Sequence, residues 1–126
     1  MKPHEEWLFK SENDLDSAKF LLNSEKPLYD AAIYHAQQCA EKSFKAYLAF
    51  HDFEIEKTHN LIILTEFCIS RDPSFVKLKE CSEYLNPYSV IYRYPGDELL
   101  PTLEETKRAI EYAETVWIFI KDRLKG

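Results

Sequence analysis

The 126-residue chain is 45% hydrophobic and 30% charged with a net charge of -6, the balance of one soluble globular domain with room for a sizeable core. Its acidity excludes a broad nucleic-acid-binding surface and confines any such activity to a local basic patch. Only 2 glycines disfavour a turn-rich β-fold, no apolar run is long enough to span a bilayer, and the N-terminus MKPHEEWLFK is too charged for a secretory signal.

In chain order, a first helix is predicted over Glu5 to Asn23. Trp7, Leu8, Leu15, Ala18, Leu21 and Leu22 recur at three-to-four spacing, with a polar break at Ser11 to Asp14. Asn23, Ser24 and Pro27 end it, and His4 falls in an expected frayed terminus. The second helix, Tyr29 to Phe50, is long and has an unusually wide apolar face. At a hundred degrees per residue, Tyr29, Ala32, Ile33, Ala36, Ala40, Ser43, Phe44, Tyr47 and Phe50 share one side. Ala31, Tyr34, His35, Gln38, Glu41, Lys42, Lys45 and Ala49 form an opposite stripe of small and polar residues.

Thr58 is the expected N-cap of a third helix through Leu61, Leu64, Phe67 and Cys68. Asp72-Pro73 opens a fourth, with Val76 or Phe75, Leu78, Cys81 and Leu85 as core residues, and Asn86-Pro87 stops or bends it. Tyr88 to Pro101 reads as an irregular segment of a length that is often functional. Thr102 and Glu105 form a capping box for the last helix. There Leu103, Thr106, Ile110, Ala113, Trp117, Ile120 and Leu124 keep a seven-residue pattern. Acidic residues stand at its start and Lys121, Arg123 and Lys125 at its end, as the helix dipole favours. The expected fold is therefore all-α: an antiparallel up-and-down bundle of four main helices plus a short extra one, in a single domain over residues 1–126.

Chemistry is sparse. Cys39, Cys68 and Cys81 form no CxxC pair and sit in apolar patterns, so buried reduced thiols and a cytoplasmic location are expected. No phosphate-cradling glycine loop and no nucleophile motif is present. His35 and His51 have no His or Cys at ligand spacing, so no metal and no cofactor are expected. Trp7 and Trp117 read as core anchors.

Three strings occur in order: Gln38-Cys39-Ala40-Glu41-Lys42-Ser43-Phe44-Lys45-Ala46, then Thr58-His59-Asn60-Leu61, then Tyr92-Arg93-Tyr94-Pro95. Together they resemble the HEPN domain (higher eukaryotes and prokaryotes nucleotide-binding) across nearly the whole chain. The resemblance implies a helical bundle that forms a homodimer. It also implies a small nucleotidyltransferase partner in a toxin–antitoxin-like pair, or nucleotide or RNA binding. Some members are metal-independent RNases with an Arg followed after four to six residues by His. That motif is missing: the eligible positions after Arg93 are Glu98, Leu99 and Leu100. No imidazole is supplied there as a base.

The residues expected to line a nucleotide or partner site are Gln38, Lys42, Lys45, His59, Arg93 and Tyr94, with no catalytic residue among them. Each has a plainer reading beside it. Glu41 and Lys45 form a solvated i, i+4 pair worth ~0.3–0.5 kcal/mol. His59 bonds a carbonyl or a side chain structurally. Arg93 pairs with Asp97 or a glutamate while the tyrosines cover the end of the bundle. The leading reading is a non-catalytic binding module. The alternatives are a divergent RNase using Arg93 with His59 or His35, and a purely structural dimerisation module.

Overall fold

The structure is a computed structural model that describes residues 1–54, 57–96 and 100–125. The helices are α1 (Pro3–Asn23), α2 (Tyr29–Phe50), α3 (Leu61–Arg71), α4 (Lys79–Leu85) and α5 (Leu103–Arg123). Two 3-10 segments, Pro73–Leu78 and Asn86–Ser89, flank α4, and no strand occurs among the described residues. The all-α bundle is thus as expected, although the fourth helix opens with a 3-10 run before α4 begins. Among the described residues no helix is long and apolar enough to cross a membrane.

α2 is the axis of the fold and packs against α1, α3, α4 and α5. α1 runs antiparallel to it, with His4 meeting Phe50 at one end and Asp14 meeting His35 further along. His4 is therefore held in α1 rather than frayed. Its ring stands edge-on 4.8 Å from Phe50, and the Lys2 backbone N–H donates to the Glu5 carboxylate at 2.9 Å, closing the first turn. The core is built from Ile33, Phe44, Leu48, Leu61, Leu64, Phe75, Leu78, Leu85, Val116 and Ile120, all at most 1% exposed. Phe75 sits at its aromatic centre, 4.5 Å from Tyr47 and 5.0 Å from Phe119 between ring centres.

The helix ends follow local chemistry. Asn60, not Thr58, caps α3: its Oδ1 accepts from Ile62 and Ile63 backbone N–H groups at 2.9 and 3.2 Å. Thr58 acts one step earlier, accepting from the Asn60 N–H at 3.1 Å. Asp72 caps the 3-10 run through Ser74 at 3.0 Å, and Arg123 of α5 donates to Asp72 at 3.2 Å. Both halves of the Thr102–Glu105 capping box are formed. Trp117 packs on the core, whereas Trp7 lies half-buried on the flank of α1, its ring centre 5.4 Å from the Lys45 ammonium. Trp7 is therefore no core anchor, as its ring packs by the Lys45 ammonium rather than among the buried apolar residues.

Candidate functional site

The polar stripe of α2 is not an open surface. Gln38, Glu41 and Lys45 are 8%, 3% and 6% exposed, so the expected solvated pair of Glu41 and Lys45 is instead a buried one at 3.1 Å. α1 meets part of this stripe, with Asp14 at His35 and Lys42 and Trp7 at Lys45, while Gln37 and His59 close on Glu41. Ionised groups out of water need partners, and Glu41 collects several. Its carboxylate accepts from Lys45, from Gln37 at 3.4 Å, from Gln38 at 3.5 Å and from His59 Nδ1 at 3.0 and 3.1 Å. Gln37 is fully buried and also donates to the His59 carbonyl at 3.3 Å.

A second network runs along the α1–α2 seam. Asp14 accepts from His35 Nδ1 at 2.8 Å and from Lys42 Nζ at 2.7 Å. Burial pushes the Asp14 carboxyl up, but the hydrogen bonds and charges of His35 and Lys42 prevail and hold it below the usual carboxylate range. Next along α1, Ser11 donates to the Cys39 carbonyl at 2.8 Å and bonds the Ser43 hydroxyl. Ser11 and Asp14, which read as a polar break in the sequence, are buried polar contacts. The signal was available: both fall on the same three-to-four spacing as Leu8, Leu15 and Ala18.

The Tyr88–Pro101 stretch is shaped by tyrosines, in line with the plainer reading of a cover. Tyr88 and Tyr92 stack at 6.0 Å and both hydroxyls donate to Glu105, at 3.3 and 3.4 Å. Tyr92 has a φ of 72°, a left-handed conformation uncommon for an aromatic residue, and it turns the chain back towards α2. The Arg93 guanidinium lies 4.0 Å from the centre of the Tyr34 ring and donates to the Ser89 carbonyl at 3.4 Å. Asp97, an expected partner for Arg93, lies outside the described residues. Among the described residues no carboxylate pairs with Arg93, and no hydrogen bond joins it to His35 or His59.

The six expected site residues therefore separate. Gln38 and Lys45 are buried supports, and Lys42 is half-buried against Asp14. His59, with a side chain 72% exposed, and Arg93 and Tyr94 form the accessible part. His59, Asn60, Asn86, Pro87, Ser89, Val90 and Ile91 line a shallow groove of about 430 Å³. Arg93 reaches the same groove through Ser89. Tyr34, which was not among the expected site residues, meets Arg93 here, and its ring stands edge-on 5.7 Å from that of His35, a residue of the RNase alternative, which lines a separate groove with Asp16 and Phe20. A carboxylate only accepts, so His35 and His59 each place their proton on Nδ1 towards Asp14 and Glu41, leaving Nε2 for other partners. Among the described residues no cluster of His, Cys, Asp and Glu is placed to hold a metal ion.

Comparison with known proteins places this geometry in context. The family model of the HEPN domain matches residues 4–123. Over 131 aligned residues the chain is 32% identical to "Putative toxin MJ1304" of Methanocaldococcus jannaschii, covering 92% of this chain and 84% of that protein. Two crystal structures share the fold. ST0689, described as an archaeal HEPN homologue, superposes with a TM-score of 0.77 at 24% identity, over 99% of this chain and 100% of that one. TT1696 from Thermus thermophilus gives 0.74 at 22% identity, over 97% and 98%.

Proposed function

The chain belongs to the HEPN domain family, and we propose that it is the binding module of a toxin–antitoxin-like pair. It engages a nucleotide, or a small nucleotidyltransferase partner, at the face carrying His59 and Arg93, and it works as a homodimer. The similarity to a protein named as a putative toxin supports the system-level reading. The observation that carries the site is the exposed His59 imidazole, fixed by a buried carboxylate beside a groove that Arg93 also reaches. A fixed imidazole and a stacked guanidinium lose little freedom on meeting a ligand, which favours recognition over a mobile loop. Gln38, Lys42 and Lys45 support the site rather than touch the ligand. Tyr94, 61% exposed, stands beside Arg93 as a stacking surface.

A second reading is a divergent RNase. It is favoured by the two imidazoles held through Nδ1 by carboxylates, the arrangement that orients a general base.

Titration of ATP, GTP and a short RNA against wild type, His59→Ala and Arg93→Ala at neutral pH tests the proposal. The co-purifying proteins are identified and RNA cleavage is followed in the same samples. Binding that both variants weaken, without cleavage, supports the module. Turnover of RNA lost in His59→Ala or His35→Ala favours the enzyme instead. Wild type that binds no nucleotide and retains no nucleotidyltransferase overturns the proposal.

A further inference from the structure

We propose that the groove beside His59 reads the pairing edge of a pyrimidine base, with the side-chain amides of Asn60 and Asn86 as donors and the His59 imidazole as acceptor. This deepens the nucleotide-binding reading above and rests on it.

Each of the three side chains is oriented by a bond to the fold before a ligand arrives. A backbone N–H needs an acceptor, and in a side-chain amide only the oxygen accepts. The Asn60 oxygen takes the Ile62 and Ile63 N–H groups at 2.9 and 3.2 Å, and the Asn86 oxygen takes the Leu61 N–H at 2.8 Å. Both amides are thereby fixed with the oxygen towards the start of α3. Both side chains line the groove, and among the described residues neither NH2 group donates a hydrogen bond. His59 is held in the same way: Nδ1 donates to Glu41 at 3.0 Å, so a neutral ring presents Nε2 as an acceptor. The N–H groups that open α3 are spent on the two asparagines, so the groove is not an anion site of the helix terminus.

The rest of the lining suits a flat ring. Pro87, Val90 and Ile91 supply apolar surface, with Val90 59% exposed. The Ser89 hydroxyl either donates or accepts and adds no preference. The Ser89 carbonyl accepts from Arg93 at 3.4 Å, which brings a cation for the phosphate to the same rim.

Two fixed donors and one fixed acceptor call for an edge with two acceptors and one donor. Uracil carries this in its two carbonyls and ring N–H, cytosine in its carbonyl, ring nitrogen and amino group. The pairing edge of adenine offers one acceptor and one donor, that of guanine one acceptor and two donors, and the Hoogsteen edge of guanine two acceptors without a donor. A purine therefore leaves an amide or the imidazole unmet, or sets two donors against each other.

The test titrates UMP, CMP, AMP, GMP and the trinucleotides UUU and AAA at pH 8.0 against wild type, Asn60→Asp, Asn86→Asp and the control Asn13→Asp at an exposed position of α1. Aspartate keeps the oxygen that accepts from α3 and exchanges the NH2 donor for an acceptor, and an unchanged urea midpoint checks that each variant is folded. The added negative charge weakens all the mononucleotides alike, so the ratios of affinity report the edge. Wild type is expected to bind the better pyrimidine nucleotide about tenfold more tightly than AMP or GMP, the worth of one hydrogen bond made or left unmet. Asn60→Asp and Asn86→Asp each shift the ratio about tenfold towards GMP, whose two donors then match two acceptors, while Asn13→Asp keeps the wild-type ratio. Selectivity among the mononucleotides supports a free nucleotide as ligand, and selectivity confined to UUU over AAA supports a single strand. Equal affinity for purine and pyrimidine probes, or a wild-type ratio in both groove variants, overturns the pyrimidine assignment while the binding module stands. Failure of wild type to bind any of these probes, ATP or GTP removes the assignment and the nucleotide arm of that reading together.

Discussion

Glu41 and His59 meet at 3.0 Å, the carboxylate 3% exposed and the imidazole 72% exposed. One side chain is part of the interior and the other belongs to the surface, so the hydrogen bond transmits the order of the core to an accessible group. The two residues should therefore respond oppositely to mutation.

Glu41→Ala removes the partner of buried Lys45, and an uncompensated buried charge costs about 3–5 kcal/mol. Urea denaturation is expected to show a loss of that order. His59→Ala, at an exposed position, is expected to stay within about 1 kcal/mol of wild type. The double variant Glu41→Gln/Lys45→Met should recover most of the loss, since it removes both charges. Equal losses for Glu41→Ala and His59→Ala would contradict the burial asymmetry.

Acid should weaken the fold through Asp14. Its folded pKa lies below the ordinary 3.8: burial raises it, but His35 and Lys42 lower it further. Its contribution is therefore present above pH 3.8 and is lost as the pH falls through the lower folded value. Asp72 adds to the same window, its carboxyl lowered by hydrogen bonds from Ser74 and by Arg123 against an opposing effect of burial. The urea midpoint is expected to fall below about pH 4, less steeply in Asp14→Asn. Parallel profiles for the two proteins would remove Asp14 from the account.

Removing the Thr102 cap tests the start of α5. Thr102→Ala should cost about 1 kcal/mol, the usual loss for a Ser or Thr cap. Glu105→Ala should cost more, because Glu105 also accepts from Tyr88 and Tyr92 and so ties the tyrosine cover to α5. Thermal unfolding of the two variants gives the order directly.

The cysteines should be unreactive until the chain unfolds. Burial pushes the Cys39 thiol up to about 12 and the Cys81 thiol up to about 11, and it raises Cys68 as well. An aromatic disulfide reagent at pH 8 is expected to label native protein slowly and all three thiols at once in urea. Rapid labelling of one thiol in the native protein would mean that its part of the bundle opens.

Much of the fold was legible along the chain. The bounds of α2, the Thr102 capping box and the Asp72 cap follow from side chains a few residues from the backbone groups they satisfy. The α3 cap was misplaced because Thr58 and Asn60 both suit that role, and the choice depends on which side chain reaches the Ile62 and Ile63 N–H groups. The site was legible only in part. His59 and Arg93 come from motifs read in sequence, but Asp14 and Tyr34 carry no such mark and enter through contacts with distant residues.

By itself, then, the sequence determined the helices, their order and the family, because periodicity, caps and short motifs are local properties of the chain. Tertiary structure alone decided which face of α2 meets solvent. A helical wheel separates polar from apolar residues but does not say what packs against the polar side. Here Trp7 of α1 lies by Lys45 and His59 closes on Glu41, so that Glu41 and Lys45 form a buried pair while the His59 imidazole stays exposed.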